Sequence, residues 1–305
     1  MPSARDIIEK ADIAVSDLIS DGGYLNPEQA NKFIDIVIDQ PTLLNRVRTV
    51  RMNSPQRKIE KIGFGSRILN AAPTSGTYLA AGSRAKPDLG LIELSTKEII
   101  AEVWIPYDVL EDNIEHEKME DTIMRHIAQR TALDLEELLI NGDETSGDAY
   151  LALLDGVLLM SGNALIDGTD LGYSRDLWKA IIDGMPTQYL RNINLMNFFA
   201  SHNTDHSYRH ALASRETGLG DALITGRQPV YGYGVRLDPC ALMPNTGALF
   251  TYPNNIIWGI QRQIMIETDR DIRARVLQIV LTMRIDFKAE TPEAIVVAEN
   301  VGAVT

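Results

Sequence analysis

Cysteine is all but missing from this chain: Cys240 is the only one in 305 residues. A lone cysteine excludes an internal disulfide, a CxxC redox pair and a cysteine-rich zinc site. Its expected role is that of a small buried apolar residue. No apolar run approaches the roughly 18 residues that a membrane-spanning helix needs. The first ten residues mix Arg5 and Lys10 with Asp6 and Glu9 and hold no apolar stretch of signal-peptide length. Synthesis in a reducing cytoplasm is therefore expected, with no membrane partner. An excess of positive charge is also lacking, because 29 Lys and Arg face 42 Asp and Glu, a net charge of -13. A chain that grips nucleic acid concentrates its bases against the phosphates, so sequence-specific DNA binding is not expected.

Catalytic signatures are missing too. The chain contains no GxSxG, GxxxxGK[ST], HExxH or GxGxxG. Gly232-Tyr233-Gly234 lacks the third glycine and sits in a strand pattern. His202, His206 and His210 are spaced by four, and on one helix face two imidazoles could hold a metal. Asn203 is the expected N-cap, which puts His202 outside the helix and leaves His206 and His210 on a solvated face. The carboxylates Glu111, Asp112, Glu115, Glu117, Glu120 and Asp121 lack the order and glycine of an EF-hand. They suit the start of a helix, where negative charge is favourable. No catalytic, cofactor-binding or metal-ligating residue is expected, and no cofactor.

What is there is a chain of 45% hydrophobic residues, long enough for one large domain or two small ones. Residues 4–19 read as an amphipathic helix, with Ile7, Ile8, Ala11, Val15, Leu18 and Ile19 at helical spacing and Ser3 as cap. A short helix follows over 28–38, and 43–52 suits a strand. Residues 63–94 are rich in glycine, proline and small side chains. A structureless loop of that length is rare inside a compact domain. The stretch is either disordered or a two-stranded arm, whose strands of about 15 residues would reach roughly 50 Å. Such an arm is marginal alone and needs a neighbour to lie on. Residues 94–105 alternate as a strand, with Ile99, Ala101, Val103 and Ile105 on one face. The strongest helix runs over 117–141, its apolar stripe carrying Ile123, Ile127, Leu135, Leu138 and Leu139, and Asn141-Gly142-Asp143 stops it. Beyond it, helices are expected over 174–185 and 203–214. Strands are expected over 194–200, 228–237, 247–252, 263–266, 276–287 and 294–298.

The order of these parts resembles the major capsid proteins of tailed bacteriophages over nearly the whole chain. The pieces that carry the resemblance are the long helix ending in Leu138-Leu139-Ile140-Asn141-Gly142-Asp143 and the block from Ile256-Ile257-Trp258-Gly259 to Glu267. To these are added a turn at Thr268-Asp269-Arg270-Asp271 before the strand 276–287, and the closing Thr291-Pro292-Glu293-Ala294-Ile295. The resemblance implies an α+β subunit of the tailed-phage capsid fold. Residues 1–45 would be an N-terminal arm and 63–94 an extended β-hairpin loop. A peripheral domain would comprise 46–62, 95–145 and 266–305, with a long spine helix and a sheet of 94–105, 276–287 and 294–298. An α/β axial domain would comprise 146–265. An encapsulin-type shell shares this fold, but about 45 residues precede the first core strand here, more than encapsulins usually show.

The implied function is structural: self-assembly into an icosahedral head around double-stranded DNA that the wall does not read. The implied partners are other copies in pentamers and hexamers, a separate scaffolding protein, a portal and decoration proteins. The scaffolding protein is expected to be separate because the chain has no room for a scaffolding domain before the arm. The implied location is the virion. Charge adds candidates for contact between copies. Residues 1–40 hold eight acids and three bases, whereas 46–100 hold ten bases and four acids. Asp6, Glu9 and Asp12 on the arm and Arg67, Arg84 and Lys86 on the loop are the expected contact residues. Some family members join a loop lysine to a neighbour's asparagine, with a buried glutamate as proton acceptor. Lys86 stands where that lysine would be, but 276–287 contains no glutamate, Thr282 falls near its expected place, and the strand's only acid, Asp286, lies about four residues too far along. No covalent linkage is expected.

Overall fold

The computed structural model describes residues 42–63, 67–74, 77–107, 119–214, 229–261 and 265–302. The segments expected as helices over 4–19 and 28–38 lie outside them. The chain enters through a turn at 42–46, where a strand was expected; β1 is confined to Arg48–Met52. Leu43 and Leu44 are fully buried in that turn, so their apolar character reports burial and not extended backbone.

β2, Gln56–Gly63, and β3, Asp88–Ser95, form an antiparallel hairpin. Each has eight residues, so the paired shaft spans about 27 Å at 3.4 Å per residue. It begins before residue 63 and is shorter than the expected 15-residue strands. The described residues between the strands are irregular apart from a short 3-10 turn at Ala81–Ser83. The expected single strand 94–105 is divided at Thr96 between β3 and β4, Lys97–Pro106.

A five-stranded sheet contains β1, β4, β10 (Ile256–Gln261), β11 (Met265–Asp271) and the long β12 (Val276–Ala289). Along β12 alternate residues Leu277, Ile279, Leu281, Met283 and Ile285 are buried. They share a core with Ala128, Ala132, Leu135, Leu138 and Leu139 of α1, Met119–Asn141. A fully buried leucine or isoleucine contributes roughly 1.5–3 kcal/mol, so this layer is a main source of stability. The expected turn at 268–271 is extended instead: β11 runs through it, and the turn is Ile272–Arg275. Asp271 Oδ1 accepts the N–H of Arg273 at 2.8 Å and of Ala274 at 3.0 Å, which moves the reversal one step along the chain.

A six-stranded mixed sheet forms the other layer, ordered β5 (Ile166–Asp167), β13 (Ile295–Glu299), β9 (Ala248–Thr251), β6 (Asn197–Ser201), β8 (Val235–Cys240) and β7 (Tyr231–Gly232). Segment 294–298 was expected in the first sheet. It pairs instead with β9, and β10 takes the place beside β12. Helices α2, Arg175–Asp183, and α3, His202–Ala213, cover one face through Leu177, Trp178, Ile181 and Tyr208. The opposite face, with Phe199, Leu249, Ile295 and Val297, belongs to the same core as α1 and the first sheet. The spine helix therefore sits in one continuous interior with both sheets.

The end of α1 shows how tightly this is built. Gly142 donates to Leu138 O at 3.0 Å, and Gly156 donates to Gly142 O at 2.8 Å. A Cβ on Gly142 would come within 2.3 Å of Leu154 O, and one on Gly156 within 2.6 Å of Ile140 O. Glycine is needed at both positions for close backbone approach. Tyr233-Gly234 is not mid-strand: both residues have positive φ, 50° and 84°, and they turn β7 into β8.

Candidate inter-subunit surfaces

Among the described residues, the hairpin shaft is fixed to its own body along one face, from its root to Lys61 near its far end. On one face of the shaft Leu94 is fully buried, and Ile59 and Ile92 pack with Met52 and Ile257. On the same face Lys61 Nζ donates to Thr291 Oγ1 and, at 3.4 Å, to Glu290 O. Where β3 passes into β4, Ser95 N donates to Asp286 Oδ2 at 2.6 Å. Asp286 is buried in β12, and burial pushes its carboxyl above the usual range while the Ser95 hydrogen bond pulls the other way. The opposite shaft face presents Ile62 and Leu89, paired across the strands and both exposed.

The end of the loop is apolar and basic. Leu69 is 77% exposed and Tyr78 91% exposed, with Ile68 also uncovered. Asn70 Nδ2 donates to Ser83 O at 2.8 Å and so joins the two limbs, while Arg84 Nε donates to Leu79 O at 3.2 Å within one of them. Arg67, Arg84 and Lys86 are all exposed here. The sequence reading thus places three of its six contact candidates together on one projecting element. Asp6, Glu9 and Asp12 lie outside the described residues, as do Glu111, Asp112, Glu115 and Glu117.

Residues 42–46 join the body at a built anchor. Glu136 of α1 is buried, and its Oε1 accepts Leu43 N–H at 2.6 Å. Burial raises its carboxyl, while hydrogen bonds from the backbone of Leu43, Leu44 and Thr42 oppose that rise. Arg46 forms a two-pronged pair with buried Asp238 of β8, one prong at 3.1 Å. Arg236 Nε meets Oδ1 of that carboxylate at 2.8 Å, the oxygen that also takes the 3.1 Å prong. Residues 42–46 are thereby tied to the spine helix and to the second sheet at once.

Sequence reasoning missed all of these anchors. A signal existed at Asp286, an acid inside an otherwise apolar run. Glu136 carried none, because it reads like any acid on a helix. The histidine row behaves as expected in one respect: His206 and His210 are exposed. The expected cap does not hold. Ser201 is the N-cap, its Oγ accepting Thr204 N–H at 3.1 Å, so His202 lies in the first turn, also exposed. Cys240 is buried, and burial raises its thiol.

Known proteins share this architecture. A family model described as the phage capsid family matches residues 22–300. A protein of Bacillus subtilis (strain 168) named as a prophage capsid protein, YqbE, is 40% identical over 302 residues, covering 95% of this chain and 96% of its own. Among solved structures, a chain of the satellite phage P4 procapsid including size determination (Sid) protein superposes with a TM-score of 0.71 at 15% identity. It covers 100% of this chain and 99% of its own. A chain of the holo-SrpI encapsulin complex from Synechococcus elongatus PCC 7942 gives 0.57 at 11% identity, over 85% of this chain and 87% of its own.

Proposed function

The chain belongs to the phage capsid family, and from that premise we propose how it builds a shell. It is a structural subunit of a virion head. The observation that carries the assembly mode is the hairpin loop, anchored along one face of its shaft and apolar at its exposed face and tip. Water does not stabilise such an element, so its partner is another copy of the chain. In this reading residues 63–94 lie on a neighbour, and 1–45 form an arm tied down at Glu136 and Asp238. The half with the spine helix and five-stranded sheet is peripheral, and the six-stranded half is axial, pointing toward the centres of pentamers and hexamers.

The arm carries net negative charge and the stretch 46–100 net positive charge. Fields of opposite sign speed encounter and set register more than they add final affinity. Asp6, Glu9 and Asp12 of one copy are drawn toward Arg67, Arg84 and Lys86 of another during assembly. The shell encloses double-stranded DNA without reading it, is made in the host cytoplasm, has no enzymatic activity, and works with a separate scaffolding protein, a portal and decoration proteins. The encapsulin likeness is one of fold at 11% identity, whereas the prophage relative matches at 40% over nearly both full lengths; the phage head is the reading we adopt. Electron microscopy of the expressed chain tests it. Closed particles or tubes of regular capsomers are expected, and a small soluble oligomer overturns it. Nucleic acid in particles from infected or induced cells separates a phage head from an enzyme-filled compartment.

A further inference from the structure

Asn141-Gly142, at the corner where α1 ends, is the one Asn-Gly pair in the sequence. At this dipeptide an asparagine loses its amide most readily, because glycine puts no side chain in the way of the attacking backbone nitrogen. In that reaction the Gly142 nitrogen gives up its proton and bonds to Cγ of Asn141, the Cγ–Nδ2 bond breaks, and ammonia leaves. Water then opens the five-membered imide at either carbonyl and leaves aspartate or isoaspartate at position 141. No oxidant, metal or second protein is needed.

Each group the reaction needs is engaged in the folded chain. Gly142 N–H donates to Leu138 O at 3.0 Å, so the attacking nitrogen is held along the helix. Asn141 Nδ2 donates to Leu242 O at 3.0 Å, which fixes the leaving group. Asn141 is still helical, and ring closure needs a ψ far from the helical value of about −42°. Gly142 cannot swing round to supply it. Its carbonyl receives Gly156 N–H at 2.8 Å, and a Cβ on it would meet Leu154 O at 2.3 Å and Leu138 O at 2.6 Å. The close approach that demands glycine here thus creates the reactive pair and also holds it shut. The same lock recurs at the Asp-Gly pairs of the described residues: Gly156, Gly168 and Gly184 donate to Gly142 O, Glu299 O and Ala180 O at 2.8, 2.8 and 3.0 Å. We propose that Asn141-Gly142 is a latent self-modification site, silent while the corner is closed, which converts when the end of α1 opens and marks that chain irreversibly. Isoaspartate lengthens the backbone by one carbon at a corner where one added carbon already collides, so a marked chain cannot close it again. Chemical change of the open form is a general route to irreversible unfolding.

The test follows residue 141 of the full chain by peptide mapping, with folded chain and urea-unfolded chain held side by side at mildly alkaline pH. Conversion to aspartate and isoaspartate is expected in urea. In the folded chain it should be at least roughly tenfold slower, because reaction awaits local opening. No conversion in urea, or equal rates, overturns the site. Gly156→Ala puts a methyl group against Ile140 O and Gly142 N and loosens the corner without altering the reacting pair. It should speed conversion under folding conditions; an unchanged rate beside faster hydrogen exchange at Gly142 overturns the gating. Should that variant fail to fold or leave the corner closed, sub-denaturing urea opens it in the wild type. The conversion rate must then rise in step with Gly142 exchange, and a rate indifferent to it overturns the gating as well. Chains aged in urea are finally returned to buffer and treated with protease. Isoaspartate should be depleted from the resistant fraction, and equal content in both fractions overturns the irreversible mark.

Discussion

Asp286 accepts the backbone N–H of Ser95 at 2.6 Å, so the central strand of the large sheet grips the loop where it leaves the body. Asp286→Ala leaves that N–H without its acceptor in a dry site and should cost roughly 1–3 kcal/mol. Asp286→Asn keeps an acceptor oxygen and should cost less. Urea unfolding of the unassembled chain checks both, and equal losses would show that the hydrogen bond is not what stabilises the root.

The same carboxyl gives a pH dependence of definite sign. Burial raises it, so the native pKa lies above the unfolded one. Such a group favours the fold fully below its unfolded pKa and loses that contribution as pH rises through the native value. The stability of wild type relative to Asp286→Asn should therefore fall as pH rises above the unfolded value of about 3.9 and through the raised native one. A difference that grows with pH would contradict this.

Glu136 holds the turn at 42–46 through Leu43 N–H. Glu136→Ala should speed hydrogen exchange at Leu43 and Leu44 and expose 42–47 to protease. Glu136→Gln should stay close to wild type in both. The exchange rates of α1 act as the control, since a general loss of fold would raise them as well.

Gly142→Ala puts a methyl group against the Leu154 carbonyl. Overpacking of this kind costs roughly 1–3 kcal/mol, and lower thermal stability and soluble yield are expected. Ala at exposed Gly82, where a Cβ meets nothing within 4 Å, should be neutral.

Assembly should slow as salt rises, because arm and loop regions carry opposite charge and exposed charges are screened beyond about 8–10 Å. Light-scattering rates at low and high ionic strength measure this. Particles boiled in detergent should run as a single band near 33.8 kDa. With Asp286 engaged at Ser95 and no glutamate in 276–287, a covalent bond from Lys86 to a neighbour is not expected.

The parts legible in the sequence were those whose pattern is local. The stripe of α1, the alternation of 99–105 and the acid-free loop each follow from side-chain periodicity and composition. The strand β10 was not legible as a strand, because all six of its residues are buried and no alternation remains. The placing of β13 failed for another reason: its partners at 248–251 and 166–167 are set by tertiary packing and not by anything inside Ile295–Glu299. Ser201 lost to Asn203 as the expected cap because two capping residues stand close together, and backbone geometry alone decides between them. The loop side of the contact surface was visible as charge, whereas its anchors at Lys61, Asp286 and Glu136 join residues 90 to 230 positions apart.

One interior shared by the spine helix and both sheets has a mechanical meaning. Packed cores yield little, so neither half can tilt against the other without opening a void along Leu138, Leu139, Phe199 and Leu249. Each subunit behaves as a stiff tile. Tiles of one shape that close into a curved surface meet at unequal angles, and stiff tiles leave that inequality to their seams. In the proposed shell the give falls to the loop beyond the hairpin shaft, where Ile68, Leu69 and Tyr78 stand exposed outside the common core.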